Sequence, residues 1–149
     1  MNKQFLCERH RLLALNNPEQ SKKLCCKLSA MARGQIASEL WNEAVPLYGT
    51  AFETADILLG SDTCKKTATT RYLRAAMEFI YALRKSNYAA DIAALVTLAE
   101  HRLGDMHEPQ PLATLLCPLR DVAFAPLEEV DYWIELLFAM DESQHQTTH

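Results

Sequence analysis

Trp41-Asn-Glu-Ala44-Val-Pro-Leu-Tyr48-Gly-Thr-Ala51 is the stretch on which the fold turns. An aromatic residue is followed three positions on by alanine, four later by a second aromatic, and three later by another alanine, so at 3.6 residues per turn all four share one helical face. The apolar arc then widens through Phe52, Ala55 and Leu58 to Leu59, and Gly60, Ser61 and Asp62 stop it. The spacing predicts a central helix over 41–59. Pro46 stands inside it, where proline costs about 3 kcal/mol, so the helix is expected either to kink there or to start near Ala44.

Working outward, Leu24, Leu28, Met31, Ala32 and Ile36 fall on one arc and predict a helix over 19–38, with Lys22, Ser29 and Arg33 opposite. Phe5 to Leu15 can form a short helix before the turn at Asn16, Asn17 and Pro18. A third helix is expected from Ala68 to Lys85, with Leu73, Ala76, Met77, Ile80 and Leu83 inward and Arg71, Arg74, Glu78, Tyr81 and Lys85 along the opposite stripe. A fourth runs to Leu103, carrying Tyr88, Ile92, Leu95, Val96 and Ala99, with Gly104 as its C-cap. Pro109, Pro111 and Pro118 break the period and make 105–125 a packed connector. Pro126 opens a last helix that buries Val130, Trp133, Ile134, Leu137 and Phe138 and ends near Met140. The organisation expected is a single helical domain over 1–149: a first hairpin over 19–60, a second over 64–104, the connector, a capping helix over 126–141 and a frayed tail over 142–149.

With 149 residues, 49% hydrophobic and 23% charged, the chain is long enough for one well-packed domain. Four glycines and six prolines supply too few tight turns for a sandwich or barrel, and no stretch alternates as a half-buried strand must, so the expected fold class is all-α. No apolar run can span a bilayer. Glu8, Arg9 and Arg11 interrupt the start where a secretory signal needs an apolar segment, so a cytoplasmic location is expected. Cys7, Cys25, Cys26, Cys64 and Cys117 are odd in number and irregular in spacing, which reads as reduced thiols, mostly buried.

The spacing of Trp41, Ala44, Tyr48 and Ala51 resembles the second helix of a tetratricopeptide repeat, where small residues let paired helices approach and the aromatics fill the gaps. Leu28, Met31 and Ala32 stand where that repeat's first helix places its large, large and small residues, so the resemblance covers about residues 25–56. Gln35, Asp56 and Pro46 depart from the pattern, and a second copy around Tyr88, Asp91, Leu95 and Leu98 keeps it only loosely, 47 positions from Trp41 to Tyr88 against the family's 34. The same pattern also arises in any closely packed antiparallel helix pair. The resemblance implies a right-handed stack of five to six helices whose first helices line a concave, peptide-holding face. It extends to the small acidic helical chaperones of bacterial secretion systems, which are similar in size and repeat character.

Charge alternates along the chain. Residues 1–36 carry +5, 37–62 carry −5, 63–90 carry +5 and 91–149 carry −9. Neighbouring helices of opposite sign attract one another, which is the plainest account. With the concave face that the resemblance implies, Ser29, Arg33, Arg71, Arg74, Tyr81 and Lys85 would line a basic groove. Arginine there can hold a carboxylate by two parallel hydrogen bonds, so an acidic segment or a free C-terminus is the expected ligand. Glu78 lies within the same stripe, and the family's asparagine-containing carboxylate clamp has no counterpart here. A pI near 5.7 disfavours nucleic acid.

No phosphate-cradling glycine loop, His-Glu-x-x-His, Gly-x-Ser-x-Gly or calcium loop occurs. His101, Asp105 and His107 could share a metal, but exposed histidines at a helix end are far commoner. No cofactor, metal or catalytic residue is therefore assigned. The reading is a non-enzymatic adaptor or chaperone-like module. A homodimeric helical regulatory protein and a small enzyme with an unrecognised site stand behind it.

Overall fold

The computed structural model describes residues 5–61, 63–106 and 109–147, side chains at 109, 110 and 141–147 excepted. Seven helices and no strand occur among them: α1 Glu8–Asn16, α2 Pro18–Ala37, α3 Trp41–Ser61, α4 Lys65–Lys85, α5 Ile92–Gly104, α6 Pro109–Phe124 and α7 Leu127–Thr147. The chain is all-α. No described helix is long and apolar enough to cross a membrane.

The predicted starts and stops hold in outline, and their causes are local. Pro18 sits in the first turn of α2, where its missing N–H costs nothing. The α2–α3 turn is closed by two backbone bonds, Leu40 N–H to Gln35 O at 2.9 Å and Glu39 N–H to Ile36 O at 2.8 Å, which force Glu39 to φ 59°. That is the left-handed cap usually given to glycine. Gly104, expected in such a role, is instead the last residue of α5, with no positive φ. The fourth helix begins at Ile92 rather than at Tyr88, because Asp91 accepts a bond from Ala94 N–H at 3.0 Å and caps it there. Pro46 does not interrupt α3, which runs from Trp41.

The connector expected over 105–125 is largely helix. Pro109 and Pro111 fall in the first turn of α6, where backbone N–H groups have no helical acceptor, so they open the helix instead of breaking it; only Pro118 is interior. The last helix also outruns its expected end at Met140, reaching Thr147. Thr148 and His149 of the expected tail lie outside the described residues, as do Asp62 and His107.

α2 packs along α3, and α3 along α4; α4 and α5 both meet α6, and α1 rests on α3 and α2. Ala32, Ala44, Ala51, Ala55 and Ala68 are fully buried at these contacts, with Tyr48, Tyr72, Phe79 and Ile80 between them. The aromatic core is continuous, Phe52 lying 5.2 Å from Tyr72 and 5.7 Å from Phe79 between ring centroids. The predicted arc of α2 holds in part, with Ala32 buried and Leu28 and Ile36 packed against the core. Ser21, Cys25 and Ala32 face inward, Cys25 Sγ reaching Ala51 O at 3.5 Å, while Leu24 and Met31 are exposed. Trp133 is likewise more exposed than its expected core role allows.

Candidate functional site

The predicted basic stripe of α4 is not a wet surface in its C-terminal half. Glu78 is 1% exposed, enclosed by Arg33 and Arg74, and Tyr81 is buried against Trp41 and Asp131 of α7. Glu78 is the hub. Arg33, arriving from α2, grips it with Nε to Oε1 at 3.0 Å and Nη2 to Oε2 at 2.9 Å, and Arg74, one turn back on α4, donates Nε to Oε2 at 2.5 Å. The two parallel bonds expected between an arginine and a ligand carboxylate are thus made to the chain's own carboxylate. The Tyr48 phenol, buried beside Glu78, is pushed well above its usual range, first by burial and then by that negative charge.

α7 supplies the lid over this hub. Phe138 places its ring 5.2 Å from the Arg33 guanidinium carbon and 5.9 Å from that of Arg74. Nearer the start of α7, Asp131 accepts from Tyr81 Oη at 2.6 Å and from Lys85 Nζ at 3.1 and 3.2 Å. Lys85 also sits 4.9 Å from the centroid of Trp41, which meets Tyr81 edge to face at 5.6 Å. Tyr81 is pushed up by burial and by Asp131. Contacts run from Lys85 back to Arg74 as α7 runs from Asp131 forward to Phe138, so the two helices are antiparallel. Val130 and Ile134 are buried beneath.

Of the six expected groove residues, Arg33, Arg74, Tyr81 and Lys85 therefore meet α7 or Glu78. An open groove over all six is corrected to one half-filled by the last helix. Ser29 is half-buried on α2, one turn before Arg33. Arg71 lies further along α4, where the groove opens into a trough of about 1130 Å³. Its floor is Leu73 and Met77 of α4 with Pro111, Leu115 and Pro118 of α6, and Leu137 of α7 closes one end. Lys66, Arg71 and Arg74 stand on its rim with Cys26 of α2, and no acidic residue is among the described lining.

The apolar floor was not foreseen, because 105–125 reads as connector when its prolines are taken as breaks.

Elsewhere, Arg11 of α1 meets Glu53 of α3 at 3.3 Å and Arg102 of α5 meets Asp56 of α3 at 2.6 Å. The expectation that the cysteines are mostly buried is corrected: all five are free thiols, but only Cys25 is buried, its thiol pushed up to about 11 by burial. His101 is exposed, and no group of three potential metal ligands occurs among the described residues. No protein-family model, curated protein or solved structure matches the chain.

Proposed function

We propose that this chain is a non-enzymatic interaction module, an adaptor or chaperone-like protein, that holds an amphipathic helix of a partner in the trough between α4 and α6. The single observation that carries the reading is the trough itself, an apolar channel of about 1130 Å³ with a basic rim. It is larger than a typical small-molecule site, and its form suits an apolar helix face. α7 is an internal example of what the groove accepts: a helix with Val130 and Ile134 inward and an acidic residue, Asp131, answering a lysine on the wall. A partner helix with apolar residues at similar spacing and acidic flanks fits the remaining half. The tetratricopeptide-like stack is the architecture we favour, supported by the succession of contacts α2–α3, α3–α4 and α4–α6. A reducing compartment such as the cytoplasm suits a chain with four exposed free thiols.

The test is calorimetric titration with a synthetic amphipathic helix of leucine and glutamate. Binding is expected, and Lys66→Glu combined with Arg71→Glu should weaken it by two orders of magnitude or more, about 3 kcal/mol. Equal binding by that double variant overturns the reading. Arg74 is left in place because it holds Glu78.

A further inference from the structure

α7 has a second apolar face that the described chain leaves uncovered. Tyr132, Leu136 and Met140, spaced four apart, are 61%, 48% and 59% exposed. At the edge of this stripe Trp133 forms one wall of a cavity of about 270 Å³ between α6 and α7. Met77, Ile134 and Leu137 make that cavity apolar within, and the exposed Asp121 brings a carboxylate to it. The cavity adjoins the trough across Met77, Pro118 and Leu137 but has the opposite charge. Glu128, Glu129 and Glu135 are exposed along α7, and residues 127–147 contain six acidic residues and no lysine or arginine.

That charge decides between occupants. A second copy docking through the same face would bring carboxylates against carboxylates, and like charges across an interface cost several kcal/mol. The geometry points to a basic amphipathic helix of a partner protein, its apolar residues on Tyr132, Leu136 and Met140 and one lysine or arginine entering the α6–α7 cavity. The aliphatic stem of that side chain is buried against Met77 and Leu137. Its charged head lies between the Asp121 carboxylate and the Trp133 ring, where an ion pair and a cation–π contact reinforce each other. With a basic channel on one side and an acidic stripe on the other, the module can join two partners of opposite charge.

The test uses a synthetic amphipathic helix of leucine and lysine and the Trp41→Phe protein, in which Trp133 is the remaining tryptophan. Added peptide is expected to shift Trp133 emission to the blue and to slow alkylation of Cys117, which lines the cavity, but not of Cys64. Asp121→Asn and Leu136→Asn should each weaken binding about tenfold, whereas Glu19→Gln on α2 and Arg71→Glu at the trough should not weaken it. Unchanged affinity in either of the first two variants, or weakening by either of the others, overturns the inference. Because the trough is tested with the acidic peptide and the Lys66 and Arg71 variants, the failure of one proposal is distinguishable from the failure of the other.

Discussion

Glu78 is the residue on which the arrangement of helices most depends. A carboxylate held in the interior is tolerated only while its cations stay in place, and here those cations come from α2 and α4. Glu78→Ala leaves two guanidiniums sharing a half-buried site and is expected to cost about 3 kcal/mol. Arg33→Ala, which leaves Arg74 on the carboxylate, should cost about 1.5 kcal/mol. Urea denaturation checks both, and a neutral Glu78→Ala would contradict the role given to it. The buried phenols make a second statement at this scale. Tyr48, Tyr72 and Tyr81 are all raised above their usual value of 10, chiefly by burial, and Cys25 is raised from 9 to about 11. Groups that resist ionisation only when folded contribute stability in full below the unfolded values and lose it as pH rises past them. Stability should therefore be flat near neutrality and fall progressively above about pH 9 to 10. Urea midpoints across that interval, with difference absorption of the tyrosines, test this; an unchanged midpoint well above pH 10 contradicts it.

Among elements, the N-terminal segment approaches α3 closely at Gly49. A Cβ at Gly49 would collide with the Phe5 ring, while Glu53 Oε2 accepts the Phe5 and Leu6 N–H groups at 2.8 and 2.6 Å. Gly49→Ala should lose about 2 kcal/mol to overpacking and regain about 1 from helix propensity, a net loss near 1 kcal/mol. With Phe5→Ala as background the same change should become stabilising by about 1 kcal/mol. The sign reversal is measurable by thermal denaturation, and its absence would show that Phe5 does not pack there. Helix existence was legible in the sequence because 3.6-residue periodicity is strong in α3 and α4. Ends and faces were less so. Prolines that open α6 have the same one-dimensional appearance as prolines that end a helix, and the inward turn of the small polar residues Ser21 and Cys25 on α2 depends on what α1 and α3 present to them. Glu39's left-handed cap has no sequence signal, since glutamate rarely adopts it.

For the whole molecule, charge alternation is partly spent on pairing within the fold, as Arg11 with Glu53 and Lys85 with Asp131 illustrate. The basic stripe was legible residue by residue, but that α7 would cover half of it was not, because which elements meet is a property of three-dimensional packing. Among the described residues the trough is left uncovered, and the account stands on its being a site for an acidic amphipathic helix. Cys26 lies on the trough's wall and Cys64 beside it, its Sγ 3.1 Å from Oγ1 of Thr67 in the lining, whereas Cys7 is exposed beside His10, outside the described lining. The most direct measurement is the alkylation rate of each thiol with and without the leucine–glutamate peptide. The account predicts that Cys26 becomes protected in proportion to bound peptide while Cys7 keeps its rate; Cys26 reacting equally fast at saturating peptide would contradict it.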